Sequence, residues 1–332
     1  MSNGVKKIGV LTSGGDSPGM NAAIRAVVRT AISYDMEVVG IKRGYAGLLN
    51  NEMEVMHSIS VSDIIHLGGT ILYTARCPEF KEPEVHKRAA QILKDNGIDG
   101  LVVIGGDGSF QGASRLAENG INTVGIPGTI DLDISCTEYT IGFDTAVNTA
   151  MEAIDKLRDT SESHERCSIV EVMGRTAGHI ALWTGIASGA EYILTKEVFK
   201  GDFDSVVAKV LQRRALGKKN HIIVNAEGIG RSDEMAKYIQ EKTGIETRAT
   251  VLGHIQRGGN PTCKDRVFAS AMGAKAVELL NEGMSNRVVA YKDGEFISYD
   301  IAEALAMQKG LDEYLEHITH RLTSASAMKH EK

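Results

Sequence analysis

A short apolar strand that ends abruptly in glycine constrains this chain more than any other feature of its sequence. Residues 101–105 read Leu-Val-Val-Ile-Gly and pass directly into Gly106-Asp107-Gly108-Ser109. A β-branched run that stops at glycines is typical of a buried strand and a tight turn, and Ser109 is predicted to cap the helix that follows. Backbone amides at a helix N-terminus bind anions, above all phosphate. An aspartate in such a loop indicates a divalent cation, because a carboxylate otherwise repels a phosphate.

A second segment supplies carboxylates to the same chemistry. Residues 126–133 read Ile-Pro-Gly-Thr-Ile-Asp-Leu-Asp and place Asp131 and Asp133 two residues apart. If the segment is extended, both side chains point to the same face. Either carboxylate is then a candidate general base, and Asp107 is the better candidate for a metal ligand. A phosphate loop, a metal carboxylate and a base together predict phosphoryl transfer.

The same strand–glycine–helix arrangement recurs along the chain. Strand 7–11 leads into Gly14-Gly15-Asp16, after which Ser17 is predicted to cap the next helix and Pro18 to open it. Strands 167–173 and 247–251 also end in glycine-rich turns. One such turn alone is equally a plain strand–helix connection. Because ligands bind beyond the carboxyl ends of parallel strands, several of them together predict one shared active site.

Cationic side chains lie in these turns. Arg175, at the end of its strand, is a candidate to stabilise charge on the transferred group. Any single arginine more often forms a surface ion pair than binds a ligand. Only the placement of several cationic groups together at strand ends favours an anionic second substrate. Tyr45, in a predicted loop at 44–48, either stacks on a purine or packs as an ordinary half-buried ring. The groups that suit the second substrate are Arg166, Arg248, His254 and Arg257.

Length and composition bound the fold class. The 332 residues are long for one core and predict two lobes, and strands alternate with helices throughout, which predicts α/β architecture with parallel sheets. No apolar run approaches the roughly 20 residues that cross a bilayer. No signal peptide is visible, and the four cysteines lack the spacing of a zinc site or a disulfide framework. A net charge of −6 argues against a nucleic-acid surface, and a cytoplasmic location is expected.

Eight ordered segments resemble those of bacterial ATP-dependent 6-phosphofructokinases, from residue 5 to about residue 310. The resemblance implies two Rossmann-like lobes with mostly parallel sheets and the active site in the cleft between them. It places a larger nucleotide-binding lobe at 1–142 plus roughly 257–305, and a smaller sugar-phosphate-binding lobe at 143–256 plus the C-terminal helix. A homotetramer is the usual assembly of this family. The segments are IGVLTSGGDSPGMNAAIR (8–25), ARCPEF (75–80), VVIGGDGS (102–109), PGTID (127–131), YTIGFDTA (139–146), RDTSESH (158–164), VEVMGR (170–175) and ETRATVLGHIQRGG (246–259).

The resemblance further implies transfer of a phosphoryl group from ATP to the 1-hydroxyl of fructose 6-phosphate, with Mg²⁺, in the committed step of glycolysis. Asp131 would be the general base, Thr129 would lie beside the γ-phosphate, Arg175 would steady that phosphate and Asp107 would help to hold Mg²⁺. The implied ATP-binding residues are Gly15, Tyr45, Arg76, Cys77, Gly106, Asp107, Gly108 and Ser109. The implied sugar-phosphate-binding residues are Thr129, Asp131, Arg166, Met173, Gly174, Arg175, Glu227, Arg248, His254 and Arg257, with Arg166 and Arg248 reaching from a neighbouring subunit.

Two departures from the family pattern bear on activity. Relatives that use pyrophosphate tend to carry an aspartate after GGD and a lysine before TID, whereas this chain has Gly108 and Gly128 there. ATP is favoured, because the small residues leave room for a nucleotide and the extra lysine needed for a more anionic donor is absent. The family usually reads TIDND, but Leu132 stands between the two acids here, so an altered rate or affinity is expected. A pyrophosphate-dependent enzyme and a catalytically weak regulatory homologue remain alternatives. NAD kinases and lipid kinases share GGDG[ST] but lack GHIQRGG and PGTID.

The resemblance also implies an effector site between subunits for ADP or phosphoenolpyruvate. Ser58, Leu216 and Asn220 stand where the family often has basic or imidazole side chains. Because charge-assisted hydrogen bonds to the effector would be lost, weakened or altered allosteric control is expected. The effector-site residues that the chain retains are Arg25, Arg29, Asp63, Arg158, Gly189, Glu191, Lys218 and Lys219.

Overall fold

The computed structural model describes residues 5–324. The chain divides into two units. The first runs to Thr145 and resumes at Arg257–Lys309, and the second comprises Ala146–Gln256 and resumes at Gly310. Each unit has its own β-sheet, and most strand pairs are parallel, which confirms the predicted α/β class. In the described part of the chain no helix is long and apolar enough to cross a membrane.

Strands and helices alternate along most of the described chain. The strands are β1 (Lys7–Thr12), β2 (Glu37–Ile41), β3 (Met53–Met56), β4 (Gly100–Gly105), β5 (Asn122–Pro127), β6 (Cys167–Val172), β7 (Tyr192–Leu194), β8 (His221–Ala226), β9 (Thr247–Val251), β10 (Arg287–Lys292) and β11 (Glu295–Asp300). The α-helices are α1 (Met20–Ser33), α2 (Gly44–Leu49), α3 (Pro83–Asp95), α4 (Asp107–Glu118), α5 (Phe143–Ser163), α6 (His179–Ala187), α7 (Phe203–Ala215), α8 (Ser232–Thr243), α9 (Cys263–Asn281), α10 (Ile301–Ala306) and α11 (Glu313–Leu322). Short 3₁₀ helices lie at Ser58–Val61, Pro78–Lys81 and Gly253–Arg257.

The first unit is built on a seven-stranded sheet of order β11-β10-β5-β4-β1-β2-β3. The five central strands are parallel, and β11 and β3 are antiparallel edges. Successive residues of β4 pack on opposite faces, Val102 with the helices α1 and α9 and Val103 with α3 and α4. Because both faces are covered, all six residues of β4 are buried, which explains its unbroken apolar run.

The second unit has a four-stranded sheet of order β7-β8-β6-β9, in which every pair is parallel. Its core joins Cys167, Ile169 and Ile223 of the sheet to the apolar faces of α7 and α8. The carboxyl end of β6 leads into the Met173–Arg175 segment, and that of β8 leads to Glu227. The parallel pairing of β6 with β8 therefore brings these two segments to one edge of the sheet.

Several local predictions were wrong. Residues 44–48, predicted as a loop, belong to helix α2. Gly44 and Gly47 lie close to backbone atoms of neighbouring segments, and a Cβ at Gly47 would lie within bonding distance of the Lys42 carbonyl oxygen. Helix α1 begins at Met20 after Gly19, whose φ of 108° turns the chain, so Ser17 is not the cap and Pro18 is not its first residue. Helix α4 begins at Asp107 with extended Gly106 at the N-cap, which places Ser109 inside the helix.

Candidate active site

The turn between β4 and α4 presents a helix N-terminus at the carboxyl edge of the first sheet. A Cβ at Gly105 would lie 2.4 Å from the Ser13 carbonyl oxygen, so only glycine lets the turns after β1 and β4 approach each other. A Cβ at Gly106 or Gly108 would meet nothing within 4 Å. Those two glycines therefore leave open space in front of the helix end, where the amides of the first turn can bind a phosphate.

Carboxylates lie beside this helix end. Asp107 is exposed at the helix end, and its partial removal from water, together with the negative charge of Asp133, raises the pKa of the Asp107 carboxyl. Two carboxylates that repel each other favour a divalent cation near them. Among residues 5–324 no group of three or more His, Cys, Asp and Glu side chains could hold a metal unaided. The donor set still fits Mg²⁺, which usually takes one or two protein carboxylates and completes its shell with water and substrate phosphates.

The segment from Thr129 to Asp133 is not extended. The chain bends at Ile130 and Asp131, and Leu132 adopts the left-handed conformation with φ of 55°. The condition under which Asp131 and Asp133 would share one face is therefore not met. Asp131 is 1% exposed, and its amide donates a hydrogen bond to the Thr129 hydroxyl at 3.2 Å.

Leucine is an unusual residue for the left-handed conformation, which costs roughly 1–2 kcal/mol for residues that carry a Cβ. We expect Leu132→Gly to be more stable than Leu132→Ala by about 1 kcal/mol, because both variants lose the buried side chain and only alanine keeps the strain. Chemical denaturation of the two variants measures the difference. At exposed Arg88 in the interior of helix α3, the matched pair Arg88→Gly and Arg88→Ala is expected to show the opposite order. Equal stability of the two Leu132 variants would show that the strain is absent.

Arg257 contacts the first glycine turn. Its Nη1 donates to the Asp16 carbonyl oxygen at 3.1 Å, and a Cβ at Gly15 would lie 2.6 Å from the same nitrogen. Gly15 therefore makes room for a guanidinium group. The structure brings together a residue predicted for the sugar 6-phosphate and one predicted for ATP. Near this turn the Thr74 hydroxyl donates to the Gly14 carbonyl oxygen at 2.7 Å.

The remaining residues predicted for the nucleotide differ in exposure. Tyr45 is 5% exposed, its ring stacks on Phe80 with centroids 3.9 Å apart, and its hydroxyl donates to the Ser109 carbonyl oxygen at 2.6 Å. The packing alternative is thus favoured over purine stacking, and Tyr45 supports the first turn of α4. Arg76 is exposed, and Cys77 is partly buried, which raises the pKa of its thiol.

In the second unit a strained turn presents Arg175. Gly174 and Arg175 have φ of 140° and 53°, and the Glu227 carboxylate accepts hydrogen bonds from both of their amides, at 3.1 and 2.5 Å. Fully buried Gln256 accepts from the Met173 amide at 2.8 Å and donates to the Ala146 carbonyl oxygen at 3.3 Å. Sequence reasoning missed Gln256, because an amide between isoleucine and arginine in a glycine-rich segment carries no spacing signal.

Two arginines predicted for a sugar phosphate converge on one acid. Glu246 pairs with Arg166 at 2.7 Å and with Arg248 at 2.8 Å, and hydrogen bonds from both guanidinium groups hold the pKa of the Glu246 carboxyl below its usual range. The parallel strands β6 and β9 place these residues side by side. An anion with more charge than a carboxylate can replace Glu246 as their partner. His254 is exposed in the 3₁₀ helix Gly253–Arg257.

The residues predicted for an effector lie partly in each unit. In the second unit Glu191, 4% exposed, pairs with Lys218 at 3.0 Å and accepts from the Ile222 amide, while Arg158 donates to the Ser188 carbonyl oxygen. A cavity of about 200 Å³ is lined by Gly189, Glu191 and Arg213. Arg213 was not among the residues predicted from the sequence. Lys219 pairs with Glu165. Arg25, Arg29 and Asp63 belong to the first unit.

Comparison with known proteins identifies the family. Residues 7–280 match the family model described as Phosphofructokinase. The chain is 58% identical over 319 residues to the ATP-dependent 6-phosphofructokinase of Clostridium botulinum strain Alaska E43, covering 96% of this chain and 100% of that protein. The corresponding protein of strain Loch Maree is 59% identical over 314 residues, covering 95% and 98%.

Solved structures agree on the fold. The phosphofructokinase of Saccharomyces cerevisiae superposes with a TM-score of 0.85 at 35% identity, and the match covers 96% of this chain but only 48% of the yeast chain, about half its length. A pyrophosphate-dependent phosphofructokinase from Marinobacter aquaeolei has a TM-score of 0.83 at 21% identity, covering 97% and 93%, which shows the shared fold alone. The sequence match over most of the chain and the shared fold lead to one conclusion: this chain belongs to the phosphofructokinase family.

Proposed function

We propose that this chain is an ATP-dependent 6-phosphofructokinase, which transfers the γ-phosphoryl group of ATP to the 1-hydroxyl of fructose 6-phosphate and yields fructose 1,6-bisphosphate and ADP. The observation that carries this proposal is the open N-terminus of α4 with the Asp107 and Asp133 carboxylates beside it, since phosphoryl transfer depends on a phosphate cradle and charge neutralisation. The donor and the acceptor are those in the names of relatives 58–59% identical to this chain.

Each part of the reaction is assigned to residues of this chain. Asp131 accepts the proton of the attacking hydroxyl, and Thr129, hydrogen-bonded to the Asp131 amide, lies beside the γ-phosphate. Asp107 helps to hold Mg²⁺, which when bound neutralises charge on the phosphate oxygens. The guanidinium group of Arg175 stabilises charge on the transferred group. The Glu227 carboxylate keeps the Gly174–Arg175 turn in its strained conformation and so directs that side chain.

Binding of the sugar phosphate is assigned to a second group of side chains. Arg166 and Arg248, already gathered on Glu246, act on the 6-phosphate of a neighbouring subunit's substrate. When the 6-phosphate replaces the Glu246 carboxylate as their partner, both guanidinium groups remain paired with an anion. The other residues assigned to fructose 6-phosphate are Met173, Gly174, Glu227, His254 and Arg257.

The steric part of the argument for ATP over pyrophosphate rests on one of the two glycines named for it. A Cβ at Gly108 would meet nothing within 4 Å, so this position leaves room for a nucleotide. At Gly128 a Cβ would lie 3.0 Å from Ile104 and 3.1 Å from Met20, so core packing accounts for glycine there. Gly128 therefore bears on the donor through the lysine that is absent there, and Gly108 together with the relatives' names supports ATP.

Initial rates test this proposal directly. With fructose 6-phosphate and Mg²⁺, we expect fructose 1,6-bisphosphate to form when ATP is supplied and not when pyrophosphate replaces it. Addition of EDTA is expected to abolish the reaction, because an unneutralised triphosphate repels Asp107 and Asp133. Turnover with pyrophosphate would contradict the donor assignment. A folded protein without turnover on either donor would favour the regulatory homologue.

Assembly and regulation are proposed on the same basis. We propose a cytoplasmic homotetramer whose effector, ADP or phosphoenolpyruvate, contacts Arg158, Glu191 and Lys218 of one subunit and Arg25 and Arg29 of another. The cysteines Cys77, Cys136, Cys167 and Cys263 are all free, which is compatible with a reducing compartment. Leu216 is apolar and 54% exposed, and Asn220 is uncharged and buried. Neither supplies the cationic contact usual in the family, so weak effector control is expected.

A further inference from the structure

Lys309 holds the turn that carries the two candidate catalytic carboxylates. It is the last residue of the first unit, and its side chain is half-buried. Its Nζ donates to the Thr137 carbonyl oxygen at 2.7 Å and to the Leu132 carbonyl oxygen at 3.3 Å. These two carbonyl groups lie at the two ends of the segment 132–137. One amine therefore ties both ends of that segment to a part of the chain more than 170 residues away.

The far end of the segment is anchored independently of Lys309. The Thr137 hydroxyl donates to the Tyr139 carbonyl oxygen at 2.9 Å and accepts from the Tyr291 amide at 2.9 Å, which ties Thr137 to strand β10. At the near end Leu132 has a left-handed backbone, and its carbonyl oxygen accepts the hydrogen bond from Lys309. Lys309 thus connects the firmly held Thr137 to the strained Leu132, whose neighbours in the chain are Asp131 and Asp133.

The surroundings suit a charged amine that acts on the backbone. Burial lowers the pKa of Lys309 to about 8, and the opposing influences come from Cys136, Glu138 and Asp133. At pH 7 the amine is still protonated and can donate to two carbonyl groups at once. These charge-assisted hydrogen bonds offset part of the cost of burying it.

We propose that Lys309 is a positioning residue, whose hydrogen bonds to the Leu132 and Thr137 carbonyl groups fix the direction of the Asp131 and Asp133 carboxylates. The catalytic part of this inference rests on the proposed function, and the structural part does not. A base that is misplaced by about 1 Å lowers the rate of a reaction by roughly 100-fold, while substrate binding by other groups is retained. Loss of the Lys309 hydrogen bonds would therefore reduce kcat more than it raises KM.

The kinetic test compares three variants with the unaltered protein. Lys309→Met keeps the length of the side chain and removes its donors, so kcat is expected to fall about 10- to 100-fold with KM for both substrates changed less than about threefold. Lys309→Arg retains donors and is expected to keep at least about a third of kcat. Lys87→Met, at an exposed lysine of α3, is expected to change neither constant. An unchanged kcat in Lys309→Met, or a rise in KM alone, would overturn the proposal.

Hydrogen–deuterium exchange tests the structural part without substrate. In Lys309→Met the amides of residues 131–137 are expected to exchange at least about fivefold faster, with the amides of α9 unchanged. Unchanged exchange in this segment would overturn the proposal, and so would faster exchange throughout the first unit, which indicates a general loss of stability. If the unaltered protein does not phosphorylate fructose 6-phosphate, the proposed function fails, and the exchange result still decides whether Lys309 holds the turn.

Discussion

Replacement of Asp131 by asparagine is expected to lower kcat for the phosphorylation of fructose 6-phosphate by about 10²- to 10⁴-fold, which is the usual contribution of a positioned general base. The amide has nearly the shape of the carboxylate but cannot accept the hydroxyl proton. Asp131 is 1% exposed in the bend that follows β5, so its side chain is held in one environment. Because ATP binding is assigned to other residues, the Kd for ATP is expected to change less than about threefold.

The matched control is Asp133→Asn, which makes the same chemical change two residues away. Asp133 is more exposed than Asp131, and its charge raises the pKa of the Asp107 carboxyl. Its loss is therefore expected to raise the Mg²⁺ concentration needed for half-maximal rate and to lower kcat less than Asp131→Asn does. Steady-state kinetics and calorimetric titration of ATP separate these effects. Retained turnover in Asp131→Asn, or a larger loss of kcat in Asp133→Asn, would remove Asp131 as the base.

Asp265→Ala is expected to destabilise the first unit by about 4 kcal/mol and to lower Tm by about 10 °C. Asp265 is fully buried at the start of α9 and accepts four hydrogen bonds. One oxygen accepts from the Tyr139 hydroxyl at 2.6 Å and the Gly142 amide at 2.7 Å, and the other accepts from the Thr145 amide and hydroxyl at 2.9 and 2.5 Å. Alanine would leave these donors buried without an acceptor, and each such group costs about 1–3 kcal/mol.

Burial raises the pKa of the Asp265 carboxyl, while its hydrogen bonds act in the opposite direction. Asp265→Asn replaces one acceptor oxygen by an NH₂ group that faces N–H or O–H donors, so it is also expected to destabilise, by about 2–3 kcal/mol. Glu118→Ala, in an exposed pair with Arg115 on α4, is the control and is expected to change stability by less than about 0.5 kcal/mol. Thermal and denaturant melts of the three variants measure these differences. An Asp265→Ala variant as stable as the Glu118→Ala control would contradict the role given to this carboxylate.

Local chemistry explains which parts of the fold could be predicted. The run 101–105 identified β4 and its turn, because β-branched apolar residues favour the strand conformation and glycines favour turns, whatever the rest of the fold. The N-cap of α4 was misplaced by three residues, because extended Gly106 and not Ser109 occupies that position. The left-handed backbone of Leu132 could not be predicted, since it is imposed by surrounding packing and opposes the preference of the residue.

The residues that support the site were harder to find than those assigned to the chemistry. Lys309 stands between Gln308 and Gly310, where nothing in the sequence distinguishes it from an ordinary solvated lysine, and its two acceptors lie more than 170 residues away in sequence. Asp265 resembles any acid in the first turn of a helix, and its four donors are 120 or more residues distant. The spacing of a motif informs only about residues that are close in sequence. Contacts between residues more than 100 positions apart can be identified only from the three-dimensional structure.

The order of strands in the first sheet has a consequence for how the protein is made. Strand β10 pairs with β5, and a Cβ at Gly273 of α9 would lie 2.7 Å from Ala26 of α1, so residues after 256 complete a unit that began at the N-terminus. All four strands of the second sheet lie between those two pieces. On the ribosome, that inserted sheet is fully synthesised before the first can close. Until then the apolar face of α1 and the edge of β5 lack these partners, and we expect docking of α9 and β10 to be a slow step of folding that is exposed to aggregation.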